Sequence, residues 1–227
     1  MEPGDIDYLP SVTTGEGGAL LVVDMQNDFM PGGALPVAEG DSIIAGVNTL
    51  AASFFTAGLT VVLTQDWHCR GHSSFASAHK NAKPFDPFSA SGIGPVLWPD
   101  HCVQGTWGAD FHENLETENA HAIIRKGYRP HIDSYSAFLE NDHATETGLD
   151  GYLRTRGVRR LFACGLALDY CVFYSALDGA DKGYEVYCIM DLTRPVGSPP
   201  EGVSQALAAM ARKGVRFVRS ANVRLTE

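Results

Sequence analysis

Six short runs of apolar or β-branched residues, spaced along 227 residues, constrain this chain more than any other feature of it. They are ALLVV (19–23), TVVLT (60–64), HAIIR (121–125), RLFAC (160–164), YEVYCIM (184–190) and VRFV (215–218). Runs this short and this continuously apolar suit strands covered on both faces, as in a parallel sheet. Helical spacing fills much of the space between them. In 41–57, Ile43, Ile44, Val47, Leu50 and Ala51 recur at three- and four-residue intervals before Gly58. The stretches 169–182 and 201–213 end at Gly183 and Gly214. Strands and helices joined this tightly imply βαβ units with right-handed crossovers. The expected fold class is therefore α/β: a three-layer α/β/α domain on a mainly parallel six-stranded sheet. Residues 1–18, polar and rich in Gly, Pro and Thr, read as a flexible leader, and 19–227 as a single domain.

With 44% hydrophobic and 19% charged residues the chain can bury a substantial core. A net charge of −10 argues against nucleic acid or an anionic membrane as partner, since both select a basic face. No apolar run approaches the roughly 20 residues of a membrane span, and no targeting signal opens the sequence. The five cysteines, Cys69, Cys102, Cys164, Cys171 and Cys188, are odd in number and contain no CxxC pair. That excludes a simple disulfide scaffold and suits a reducing cytoplasm.

In open α/β sheets ligands bind beyond the carboxyl ends of the strands. Four of the runs end in chemistry: Asp24, then Gln65–Asp66, then Lys126, then Gly165 with Cys171 six residues on. Asp169 is a candidate N-cap, which puts Cys171 in a first helical turn, where the helix dipole and free N–H groups favour a thiolate. Those N–H groups could also hold an oxyanion. A carboxylate at Asp24, directly after a buried strand, is a candidate proton shuttle. Lysines are usually solvated, so burial of Lys126 beside Asp24 would separate a working ammonium from a surface one.

Between Asp66 and about Asn119 the periodicity stops, and five of the eight histidines fall there: His68, His72, His79, His101 and His112. Loops of that length in compact domains are commonly functional. Asp66, His68 and His101 form a ligand set for one divalent transition ion, Zn²⁺, Fe²⁺ or Mn²⁺. His72 is either a fourth ligand or a hydrogen-bond partner of one, and His79 and His112 read as surface residues.

LLVVDMQNDFMPGGALPV, TQDWHCRGHSSFAS, LWPDHCVQGTWGADFH, IRKG and GLALDYCV, in that order, resemble the nicotinamidase/pyrazinamidase branch of the isochorismatase-like cysteine hydrolases over about residues 19–219. The resemblance implies an Asp24, Lys126, Cys171 triad and an Asp66, His68, His101 metal site. It implies a cis peptide at Leu166–Ala167, an oxyanion hole from the Ala167 and Cys171 amides, and pocket walls from Phe29, Trp98 and Tyr135. It further implies a thioester mechanism that converts nicotinamide to nicotinate and ammonia. Family members vary in assembly, so a homo-oligomer is an expectation without a residue behind it. The chain departs from the pattern at Leu168, where the family frequently has Thr. Rival readings are an N-carbamoylsarcosine-type amidase, which keeps the triad and lacks the metal set, and a catalytically silent binding member.

Overall fold

The computed structural model describes residues 3–226. Six strands form one sheet: β2 (Gly18–Val23), β3 (Thr60–Asp66), β4 (Ala122–Lys126), β5 (Arg160–Leu166), β6 (Glu185–Arg194) and β7 (Arg216–Val218). Their spatial order is β4-β3-β2-β5-β6-β7, and every pairing is parallel. β2 and β3 are buried at every position, β3 including its polar end Thr64, Gln65 and Asp66. β4 is an edge strand and alternates instead, with Ile123 48% exposed and Lys126 fully enclosed.

Helix α1 (Ile44–Thr56) joins β2 to β3, while α3 (Cys171–Asp181) joins β5 to β6 and α4 (Gly202–Arg212) joins β6 to β7. The connection through α1 moves one way across the sheet and that through α3 the other. Right-handed crossovers then put these helices on opposite faces, which gives the three layers. Neighbouring strands β2 and β5 lead away in opposite directions. Between their carboxyl ends lies the topological switch point, the crevice where such sheets take their ligands.

Three local outcomes differ from the sequence reading. From Ile6 on, the described part of the leader packs against the rest of the chain. Its strand β1 (Val12–Thr13) pairs in parallel with β8 (Val223–Arg224), Leu9 N donates to Phe217 O at 2.9 Å, and Ile6 and Thr14 are buried. The physical reason is the free edge of β7, whose backbone groups need partners that an extended segment can supply. Helix α2 (Leu149–Thr155) adds a helix to the three read from the sequence spacing. It has seven residues, and its one apolar repeat, Leu149 and Leu153, is buried. β6 runs on to Arg194 through a register shift opposite Ala163 and Gly165. Among the described residues no helix is long and apolar enough to cross a membrane.

Candidate active site

Strand register assembles the charged centre. Asp66 and Lys126 are partners across the β3–β4 pairing, and Val23, one residue before Asp24, pairs with Gly165 on β5. The last residues of three adjoining strands therefore meet the turn that starts α3. Lys126 is 0% exposed, which answers the question posed by its sequence context. Its Nζ lies 2.8 Å from Asp24 Oδ2, 3.1 Å from Asp66 Oδ1, 2.9 Å from the Ser134 carbonyl oxygen and 3.3 Å from Cys171 Sγ. Burial alone would lower the Lys126 pKa, but Asp24 and Asp66 hold it well above the usual value.

Asp24 sits in the left-handed region, with φ +47°, a conformation that non-glycine residues adopt mainly where surrounding structure imposes it. The Thr64 hydroxyl donates to its Oδ1 at 2.6 Å and accepts from its amide at 3.2 Å. Burial pushes the Asp24 carboxyl up, and Lys126 pulls it only part of the way back.

Cys171 is the first residue of α3, buried at 7% exposure. The helix start favours a thiolate, but the surroundings of the sulfur work the other way. Burial pushes the thiol well above its usual range, and the Asp24 and Asp66 carboxylates oppose the lowering by Lys126. Asp169 does not cap the helix. Tyr170 is the N-cap residue and makes no side-chain cap, while the Asp169 carboxylate accepts from the Val196 and Gly197 amides, each at 2.8 Å. That fastens the loop after β6 over the turn. The Leu166–Ala167 peptide is cis. Among the described residues neither the Ala167 nor the Cys171 amide donates a hydrogen bond, and both residues line the pocket. Leu168 packs into the core and donates its amide to Arg194 O.

Two histidines face Asp66 from the other side. His68 Nδ1 donates to Gly127 O at 2.9 Å and His101 Nδ1 to Pro99 O at 2.8 Å, so each ring turns its Nε2 inward. These Nε2 atoms lie 3.2 and 3.5 Å from Asp66 Oδ2. Donors around a tetrahedral ion with bonds of about 2.1 Å stand about 3.4 Å apart, so the spacing fits a divalent transition metal as it stands. Burial lowers the His68 pKa, and Asp66 more than reverses this. Burial also works against the Asp66 carboxylate, yet His68 and Lys126 hold it well below its usual range.

His72 stands behind His68, ring centroids 4.6 Å apart. Its Nδ1 lies 2.8 Å from Ser74 Oγ and its Nε2 2.7 Å from Arg129 O. With both nitrogens engaged it props the His68 ring. It also shares with His68 and Asp133 a second grouping of ligand-type atoms within 4.8 Å.

Phe29, Trp98 and Tyr135 line the pocket above Cys171 together with Tyr170, Leu35 and Val196. Trp98 Nε1 donates to Tyr135 Oη at 2.9 Å, and Tyr170 meets both rings edge-on. His79 donates to or accepts from nothing in this pocket; its Nε2 is 2.7 Å from Ser73 O. His112 likewise lies elsewhere, its Nδ1 accepting from Asn114 N.

Several positioning residues carry no obvious signal in the sequence. Gln26 bonds the Asp66 backbone in both directions, Nε2 to O and Oε1 from N, each at 2.7 Å, and so stands in for a strand neighbour. Asp28 Oδ2 accepts from Cys102 N at 2.7 Å, fixing the turn beside His101. Gly127, at φ +67°, has no room for a side chain: a Cβ there would lie 2.6 Å from His68 Cε1 and 3.1 Å from Asp66 Oδ1. Gly127→Ala is therefore expected to cost about 1–3 kcal/mol in a denaturant-unfolding measurement.

The description of the isochorismatase domain matches residues 18–222. The nicotinamidase of Acinetobacter baylyi is 44% identical over 205 residues, which cover 90% of this chain and 94% of that protein. Among solved structures, a nicotinamidase/pyrazinamidase of Acinetobacter baumanii superposes with a TM-score of 0.85 at 45% identity, covering 89% of this chain and 96% of that one. The pyrazinamidase of Pyrococcus horikoshii in complex with zinc gives 0.72 at 41% identity, covering 88% and 98%. With the match spanning nearly the whole chain, this protein belongs to the isochorismatase domain family.

Proposed function

We propose that the chain is a metal-dependent amidohydrolase that converts nicotinamide to nicotinate and ammonia through a thioester on Cys171, serves NAD salvage in the cytoplasm, and also accepts pyrazinamide. The observation that carries this reading is the wholly buried Lys126, which joins Asp24, Asp66 and Cys171 within 3.3 Å of one ammonium. An Asp/His/His set in the same pocket favours it over an N-carbamoylsarcosine-type amidase.

Asp66, His68 and His101 would hold a divalent ion, which would supply Lewis acidity to the substrate ring, and zinc, iron and manganese all suit these donors. The remaining chemistry belongs to side chains and amides. Phe29, Trp98 and Tyr135 sandwich the ring and leave its carboxamide over Cys171. Asp24 takes the thiol proton as sulfur bonds to the amide carbon. Its pKa, raised by burial, makes it a stronger base than an ordinary aspartate. The carbonyl electrons move onto oxygen, which the Ala167 and Cys171 amides hold. Asp24 returns the proton to nitrogen as the carbon–nitrogen bond breaks and ammonia leaves. Water then adds to the thioester, Asp24 takes its proton, and the sulfur leaves and recovers that proton. Lys126 keeps Asp24 ionised between these transfers. One hard hydrolysis becomes two easier steps.

Ammonia and nicotinate release from nicotinamide by the metal-loaded protein tests the proposal, and absence of both overturns it. Removing the ion with a chelator is expected to abolish turnover while the far-ultraviolet circular dichroism stays native. Zinc, iron or manganese should restore it.

A further inference from the structure

The loop after β6 closes the pocket from one side. Of the residues that line the space above Cys171, all are buried except Val196, which is partly exposed. Other walls are tied through their backbones: Val37 N donates to Phe29 O and Trp98 N to Ser74 O. Residues 195–200, between β6 and α4, are held differently. Among the described residues their one backbone–backbone hydrogen bond is local, Gly202 N to Pro199 O at 2.9 Å. The segment is fastened instead by two consecutive side chains of the turn that leads to Cys171. Asp169 takes the Val196 amide on Oδ1 and the Gly197 amide on Oδ2, and the Tyr170 hydroxyl donates to Ser198 O, each at 2.8 Å.

Helix capping does not account for this use of Asp169. The carboxylate turns away from α3, whose N-cap residue makes no side-chain bond, and gives both oxygens to a loop 27 and 28 residues further along. A wall held by a few side-chain hydrogen bonds opens locally at lower cost than one held in a strand or helix ladder. The same turn reaches the pocket's interior. Tyr170 meets Trp98 and Tyr135 edge-on while its hydroxyl holds Ser198, so the loop, the pocket aromatics and the start of α3 are one linked unit.

We propose that residues 195–200 form a gate over the pocket and that Asp169 is its latch, a positioning residue that holds Val196 against the ring of a small aromatic amide. Release of the two loop amides opens the route by which the amide enters and the acid leaves. The identity of that substrate rests on the amidohydrolase reading above; the gate rests on the loop's own tethers.

The test compares the metal-loaded wild-type protein with Asp169→Ala, Asp169→Asn and Tyr170→Phe in two measurements. One is kcat and KM for nicotinamide. The other is the rate at which iodoacetamide alkylates Cys171 without substrate, read by peptide mass. A hydrogen bond to a charged group is worth roughly 10–100-fold in an equilibrium. Asp169→Ala is therefore expected to raise KM and to speed alkylation, each by about 10-fold or more, with kcat changed less than KM. Asp169→Asn keeps one acceptor oxygen and should fall between Asp169→Ala and wild type. Tyr170→Phe removes only the hydroxyl and should shift both readouts the same way by a smaller factor. Alkylation no faster than wild type in Asp169→Ala and Tyr170→Phe overturns the gate. A fall in kcat with KM unchanged overturns the latch, since it marks a change in the nucleophile turn itself. Should Asp169→Ala not fold, Asp169→Asn and Tyr170→Phe decide the same question. Wild-type protein that releases no ammonia overturns the amidohydrolase reading instead, while the alkylation rates still decide the gate.

Discussion

Cys171→Ala is expected to abolish ammonia release from nicotinamide, by at least about 10⁴-fold in kcat, because no other side chain in the pocket can form the acyl intermediate. The fold should survive. Alanine keeps the first turn of α3 intact, and the substitution removes one sulfur from a site whose other members pair with one another. Metal affinity should stay within a few-fold of wild type, since Sγ touches Lys126 rather than the histidines. Single-turnover trapping adds a second readout: wild-type protein quenched with substrate should carry a mass increase at Cys171, and the variant none. Ammonia release by the alanine variant at a rate comparable to wild type would remove Cys171 from the role of nucleophile.

Lys126→Met should produce the second large effect, on stability as well as on rate. It leaves the Asp24 and Asp66 carboxylates buried without their shared ammonium. Removing one partner of a buried charge pair typically costs 3–5 kcal/mol. The loss should depend on pH in a definite direction. Burial already raises Asp24, and Lys126 is the main influence lowering it. In the variant its folded pKa therefore climbs further above that of the unfolded chain. The folded state then holds a proton that the unfolded state releases, so stability declines as pH rises from about 4 toward the raised value. Urea unfolding at pH 5 and pH 8 should show a larger deficit at pH 8. A deficit equal at both values would mean that Lys126 does not compensate these carboxylates.

What the chain disclosed in one dimension follows from how local each signal is. The central strands were legible because double-sided burial writes a short apolar run, Asp24, Asp66 and Lys126 because each stands at the end of a run, and Cys171 because it opens the helix after one. The edge position of β4 could have been noticed from Arg125, which interrupts its apolar residues and lies over Trp67 at 3.9 Å. Helix α2 was hidden by its length, and the packed leader by an edge strand two hundred residues away. Gln26 and Asp28 escaped for a different reason. Their roles are set by backbone groups on other elements, and nothing in an isolated Asp or Gln announces such a partner. At Cys171 the helix start is a local signal, while the carboxylates that push the thiol up arrive from β2 and β3. The segment between β4 and α2 supplies Gly127 O to His68, Ser134 O to Lys126 and Asp133 to the pocket.

The partnership of Asp66 and Lys126 across β3 and β4 also bears on how the sheet finds its alignment. β4 is short, lies at the sheet margin and has only two apolar residues facing the protein, so hydrophobic pattern alone would tolerate sliding. A slip of one residue would swing Lys126 into solvent and bring the Arg125 side chain inward, stranding two enclosed acids. The ammonium thus acts as a keyed stop for the edge strand: a misaligned sheet and an unneutralised core are the same error, and the chain is protected from both by one residue.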